Sequence, residues 1–199
     1  TLSRDFLPSD YLAAIQGKNV VQTVYMEVDV EVSQQNAEAD YVLDLCARDD
    51  NPMAAAVISG RPADSAFPAY MKRFEKNGYI KGIRQVLHGE STPPGYCLAP
   101  AFVKGIQHLG AMGKSYDLCM RSGELLDADR LVAQCPETRF IVDHCGNMSP
   151  SDVDPAHRKQ WLDGMRALAQ RSNVVCKVSG IIASAPKAWK PADLAPIVL

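Results

Sequence analysis

The feature that most constrains this chain is a beat. Apolar, β-branched runs recur along it at nearly even spacing, and each is followed by a helical pattern. The runs begin near residues 20, 54, 80, 115, 139 and 174, giving intervals of 34, 26, 35, 24 and 35 residues. Strands that return every ~30 residues with a helix between them are joined by crossovers, and crossover-joined strands run parallel in one sheet. Val20 to Val30 opens the series, followed by a helix over Ser33 to Arg48 with Ala37, Tyr41 and Leu45 on one stripe. Ala54 to Gly60 is next, then Phe67, Tyr70, Met71 and Phe74 at i, i+3, i+4 and i+7, with Gly78 where a helix C-cap belongs. Ile80 to Leu87 leads to a helix carrying Phe102, Val103, Ile106 and Leu109, closed by Gly113. Ser115 to Arg121 precedes a helix over Leu125 to Cys135 that Pro136 stops. Arg139 to Cys145 precedes a helix capped by Asp154, with Pro155 in its first position and Trp161, Met165 and Leu168 turned inward. Asn173 to Ile181 closes the series, and further helices are expected after Pro8 and from Pro191.

Two architectures fit this beat. An open doubly wound sheet can stop at six strands, whereas a (β/α)8 barrel takes eight and typically about 250 residues. No linker and no second composition regime interrupts residues 1–199, so a single α/β domain is expected. Periodicity alone does not choose between sheet and barrel.

Composition removes other classes. With 47% apolar and 22% charged residues over 199 positions, the chain can build one substantial core. Its net charge is −2 and its basic residues are scattered, which argues against nucleic acid as a partner. No apolar run approaches the ~20 residues of a membrane-spanning helix, and the N-terminal TLSRDFLPSD has no signal-peptide core. The six cysteines form no C-x-x-C, and three lie in apolar strand-like runs. All are expected to be reduced and buried, in a cytoplasmic protein.

Gly113-Lys114-Ser115 has the ending of a phosphate-binding loop, but His108 stands where that motif needs glycine, and the loop runs from helix to strand. No G-x-G-x-x-G follows a strand, so dinucleotide binding has no support. Asp143-His144-Cys145-Gly146 is more informative. His144 ends an apolar strand, which in a parallel barrel is the active face; the alternative is a strand-end histidine bonded to a neighbouring loop. Cys145 is expected on the opposite strand face, which argues against a Cys–His nucleophile pair. Arg84, Val86 and His88 share one face of a strand. An arginine there grips a substrate carboxylate or forms a structural ion pair with Glu27 or Asp29. His88 lies further out along the loop. His108 and His157 are expected to be solvated, and Lys177, beside Ser179, either meets an anion, acts as a base or reaches past the rim.

Taken in order, LSRDFLPSDYL, TVYMEVDV, IKGIRQVLHGE, SYDLCMRSGELLDADRL, RFIVDHCG and VVCKVSGI resemble the amidohydrolase-related family of TIM-barrel hydrolases. The resemblance is to its sugar lactonase and pyrone-dicarboxylate lactonase group, and it favours the (β/α)8 barrel, with about six βα units present here. It implies that His144 and Arg84 are catalytic and that Arg84 binds substrate; His88, Glu27 and Lys177, placed at or beyond strand ends, are further expected to bind substrate. It further implies an H-x-H pair on a first strand and a general-base aspartate on an eighth. Some members hold one divalent metal such as zinc, for which His144 would be a ligand together with the H-x-H. Neither the H-x-H nor the eighth strand occurs in these residues, so both ends of the domain are expected to lie outside them. The expected reaction is water attack on a lactone or similar small cyclic ester. A non-catalytic remnant or binding module, a decarboxylase-type relative and a nucleotide-binding open sheet are the alternatives. A small molecule is the expected partner, and a homo-oligomer is compatible with the sequence. Without the base, this chain alone is expected to turn over lactones ~10²–10⁴-fold below an enzyme-like rate.

Overall fold

The computed structural model describes residues 4–198. Six strands, β1 (Thr23–Met26), β2 (Met53–Ser59), β3 (Ile80–Val86), β4 (Ser115–Cys119), β5 (Arg139–Val142) and β6 (Val174–Cys176), pair in the order β1-β2-β3-β4-β5-β6. Every pair is parallel. The helices are α1 (Pro8–Ile15), α2 (Gln35–Cys46), α3 (Phe67–Lys72), α4 (Pro100–Ala111), α5 (Leu125–Gln134), α6 (Pro155–Ala169) and α7 (Pro191–Val198). The strands curl into a half-barrel with helices on its convex side, the TIM-barrel arrangement rather than an open doubly wound sheet.

The period-2 alternation of the strands sorts their side chains onto two faces. Ala56, Ile58, Ile83, Tyr116, Leu118, Phe140 and Val142 turn outward, and all are buried beneath the helices. Phe102, Ile106, Leu131 and Leu168 meet them from α4, α5 and α6. Edge-to-face rings link Tyr96, Phe102, Tyr116 and Phe140 with centroids 5.6, 5.7 and 6.4 Å apart. The alternate residues Val24, Met26, Val57, Arg84, Asp117 and Ile141 line the concave face. Neighbouring strands put Arg84 directly beside Asp117 in register. Among the described residues no helix is long and apolar enough to cross a membrane.

Several local expectations are corrected. The buried stripe of α2 is Ala39, Val42 and Cys46 rather than Ala37, Tyr41 and Leu45; Leu45 is buried, but Tyr41 is exposed. α3 ends at Lys72, before Gly78, because the Asn77 side chain accepts from the Tyr79 and Ile80 amides and starts β3. The outermost strands are much shorter than Val20–Val30 and Asn173–Ile181. Each has one neighbour, and Val24 and Val175 are 58% and 63% exposed. All six cysteines are free thiols, but Cys176, on one of those outer strands, is exposed. Asp154 caps α6 as expected, accepting from the Ala156 amide at 2.7 Å.

Candidate active site

The concave face carries five charged side chains in alternating order. Arg84 donates from Nε to Glu27 Oε1 at 2.5 Å, from Nη2 to the Glu27 carbonyl at 2.6 Å and from Nη1 to Asp143 Oδ2 at 3.2 Å. Lys177 donates from Nζ to Asp143 Oδ1 at 2.9 Å and also to Asp117 Oδ2. Glu27 follows β1, Asp143 follows β5 and Lys177 follows β6, while Arg84 and Asp117 lie within β3 and β4. Parallel strands bring these positions together because equivalent ends of all strands meet at one rim. Three carboxylates face two cations, leaving one excess negative charge.

The burial of this cluster sets its protonation. Burial opposes the charge on Arg84 and Lys177, but hydrogen bonds from Arg84 to Glu27 and from Lys177 to Asp117 and Asp143 outweigh it, and both cations titrate above their ordinary range. The Asp117 carboxyl is pushed up to about 6, first by burial and then, against the pull of Lys177, by the nearby Asp143 charge. Asp117 Oδ1 is buried and has no hydrogen-bond partner among the described residues. Leaving such an oxygen unpaired costs on the order of 1–3 kcal/mol.

His144 stands beside this cluster in an unusual backbone. β5 ends at Val142, and His144, Cys145, Gly146 and Asn147 take φ of 52°, 54°, 74° and 56°. A run of consecutive left-handed residues, most of them with Cβ atoms, needs external support. Trp161 Nε1 donates to the Cys145 carbonyl at 2.8 Å, Asn147 Nδ2 to the Met120 carbonyl at 2.9 Å, and the Cys145 amide to the Lys177 carbonyl at 3.0 Å. Cys145 is therefore not on a strand at all. The expected opposite strand face does not exist at this position, and the thiol is buried with its sulfur toward the Lys177 carbonyl at 3.6 Å.

His144 Nδ1 lies 2.9 Å from Ser179 Oγ, and its Nε2 has no protein partner among the described residues. Burial, opposed by the Asp143 charge, holds the imidazole below its ordinary range, so it is neutral at pH 7. Gly180, at φ +66°, makes room for it, because a Cβ there would overlap His144 Nδ1. His144 borders two cavities. The inner one, about 390 Å³, follows the concave face past Arg84, Asp117, Asp143 and Lys177. The outer one, about 530 Å³, opens between His88, Arg121, Asn147 and Ser184.

The structure thus brings Arg84, Lys177 and His144 to one chamber and His88 to the next. Glu27 is different. Its side chain is fully buried, Oε1 is held by Arg84 and Oε2 by the Asp29 amide at 2.6 Å, and it lines neither cavity. It makes the ion pair with Arg84 that the sequence offered beside a contact with substrate. Asp29 instead faces Arg61 at 3.5 Å. Lys177 turns inward rather than past the rim, and its two carboxylates keep it an ammonium, not a base. His108 is half-buried on α4 rather than solvated, and His157 is exposed and paired with Asp152 at 2.9 Å. Lys114 sits at the other end of the sheet, donating to the Asn77 and Ile80 carbonyls at 3.0 and 2.6 Å, far from any phosphate role. Sequence reasoning missed Asp117 and Asp143 as members of the cluster. The available signal was an aspartate at the centre of the apolar strand SYDLC, which burial obliges to find a cation.

Among the described residues no three His, Cys, Asp or Glu side chains converge as a metal-ligand set. The carboxylates beside His144 are taken by Arg84 and Lys177, so the residues present do not by themselves fit a metal.

A family model described as Amidohydrolase matches residues 2–199. An L-fucono-1,5-lactonase of Burkholderia multivorans is 25% identical over 188 residues, covering 92% of this chain and 61% of its own length. A crystal structure of an amidohydrolase from Burkholderia multivorans with bound zinc has a TM-score of 0.85 at 22% identity, covering 98% of this chain and 67% of that one. A probable 2-pyrone-4,6-dicarboxylic acid hydrolase from Acinetobacter baumannii, with citric acid bound, has a TM-score of 0.71 at 12% identity over 99% of this chain and 70% of its own. The chain spans 61–62% of the length of the curated relatives it matches.

Proposed function

Because this chain belongs to the amidohydrolase family, we propose that it carries the electrophilic half of a hydrolase site that opens a lactone or similar small cyclic ester. In that reaction the water oxygen bonds to the carbonyl carbon, the ring C–O bond breaks, and the water proton ends on the ring oxygen. The chain's own residues bind the carbonyl and stabilise the negative charge that develops on its oxygen.

The observation that carries this reading is His144. It is held in a strained, multiply anchored turn with a neutral imidazole, and the residue borders both cavities. His144 Nδ1 and Ser179 Oγ share a hydrogen bond at 2.9 Å; in the tautomer where the hydroxyl donates to Nδ1, the ring proton resides on Nε2 and can serve a carbonyl oxygen. A neutral imidazole polarises a carbonyl without the desolvation cost of a second cation. Lys177 supplies a charged donor: an ammonium has three N–H groups and two are engaged by carboxylates, so one remains. Arg84 uses three of its five N–H groups on Glu27 and Asp143, which leaves two, and the residue lines the same chamber. The acceptor of the water proton is assigned by the family resemblance to an eighth-strand aspartate and not to any group described here. Zinc, carried by a structural neighbour, would need ligands beyond those described. The similarity to a lactonase supports a cyclic ester as the substrate class, and six free thiols, the exposed Cys176 among them, suit the reducing cytoplasm.

The test is binding of L-fucono-1,5-lactone, followed on the imidazole resonances of the ¹⁵N-labelled chain, with proton release measured in parallel. We expect the lactone to shift the His144 signals and the backbone signals of Cys145 and Gly180, and His144→Ala to abolish binding. A panel of 1,4- and 1,5-aldonolactones that leaves those signals unmoved would remove the reading.

A further inference from the structure

Of the two buried aspartates that line the chamber and meet Lys177, Asp117 is the one with an unpartnered oxygen among the described residues. It sits at the centre of β4, its side chain 1% exposed, on the concave wall of the inner cavity. An aspartate kept only for stability would have both oxygens satisfied. Here Oδ2 meets Lys177 and Oδ1 meets nothing among the described residues. The carboxylate makes no bond to its own strand or to a helix, so the Lys177 ammonium is its sole hydrogen-bond partner among the described residues.

We propose that Asp117 is a positioning residue: with Asp143 it clamps the Lys177 ammonium so that the remaining N–H is aimed at the carbonyl oxygen of a bound ester. This deepens the lactone reading and rests on it for the identity of the ligand. The geometry is specific. Lys177 leaves β6 at the rim and reaches across β5 to β4, a direction that solvent alone would not impose on a lysine at an outer strand. Asp143 is itself fixed, because Arg84 holds its other oxygen while Glu27 holds Arg84. Two carboxylates from two strands therefore define the ammonium's place, as one alone would not. The groups facing Lys177 are Asp117 from β4 and Asp143 from the turn after β5, with Arg84 and His144 behind them. The two carboxylates outweigh burial and keep Nζ protonated, which suits a donor and excludes a nucleophilic amine.

A clamped ammonium exchanges its protons slowly and gives a visible ¹H–¹⁵Nζ signal, whereas freely solvated lysines do not. The experiment records that spectrum at neutral pH for the intact chain, with Lys177→Met to assign the peak. We expect a protected Lys177 signal that disappears in Asp117→Asn and returns at least partly in Asp117→Glu. Affinity for L-fucono-1,5-lactone should fall about tenfold or more in both Asp117→Asn and Lys177→Met, with no further loss in the double variant. A purely structural Asp117 would give an unchanged Lys177 signal and unchanged affinity in Asp117→Asn, and that result overturns the proposal. If Asp117→Asn fails to fold, Asp117→Glu and the unaltered chain still decide it, because an invisible Lys177 signal in the unaltered chain is equally fatal. If the lactone never binds while the signal behaves as expected, the clamp stands and the lactone reading is what fails.

Discussion

Asp143 is the joint of the site, and the substitution Asp143→Asn tests whether the alternating charges form one unit. Its side chain is 0% exposed, accepting from Arg84 at 3.2 Å and from Lys177 at 2.9 Å. An asparagine in its place would keep the shape but offer one carbonyl oxygen where two charged donors converge. A charged hydrogen bond contributes about 1.5–3 kcal/mol. The full sum is not expected, because Arg84 retains Glu27 and Lys177, at 36% side-chain exposure, can turn to water. We therefore expect a loss of about 3 kcal/mol, at the low end for breaking a buried pair. Against a typical total of about 5–15 kcal/mol the variant still folds. With a urea slope of about 2–3 kcal/mol per molar, its unfolding midpoint should drop by roughly 1–1.5 M. Adding Lys177→Met completes a double-mutant cycle, and contact between the two groups predicts a coupling of about 0.5–3 kcal/mol. A midpoint moved by less than about 0.3 M, or a coupling indistinguishable from zero, would refute the view that Asp143 joins the two cations.

Three further outcomes follow from the geometry. Gly180→Ala should destabilise by about 1–3 kcal/mol and shift the His144 imidazole signals, since the new Cβ would overlap Nδ1 on a backbone at φ +66°; an unshifted imidazole would contradict the packing. The Asp117 carboxyl, raised from 3.8 to about 6 in the fold, binds its proton more tightly folded than unfolded, so its contribution to stability is greatest below pH 4 and is lost as pH rises through 6. The stability of the unaltered chain relative to Asp117→Asn should accordingly be higher at pH 4.5 than at pH 7.5, by on the order of 1–2 kcal/mol in urea titrations, and the opposite sign would show that Lys177 rather than burial governs Asp117. Finally, amides of β1 and β6, each paired on one side, should exchange faster than those of β3 and β4; equal protection in a confirmed monomer would mean that their edges are covered.

How much of this was legible in the residues differs by level. The parallel order of six strands was readable because a crossover helix between strands leaves few alternatives, and helix caps such as Asp154-Pro155 act over a handful of neighbours. Arg84 could be flagged alone, since a guanidinium in a strand must find a partner, and Glu27 was among the partners named. Which strand faces curl into a shared wall, and thus that Asp117, Asp143 and Lys177 meet, depended on residues 26 to 60 positions apart coming into register. No local pattern encodes that distance. The same holds for the turn at His144. Read along the chain, RFIVDHC continues as a strand, yet the backbone reverses hand after Asp143 because Trp161, Asn147 and the Lys177 carbonyl, all outside the strand, hold it there. Local sequence determined the elements through propensity and pattern; only the closed packing of distant strands decided which charges pair and where the imidazole points, because both are set by contacts with long loop closures between them.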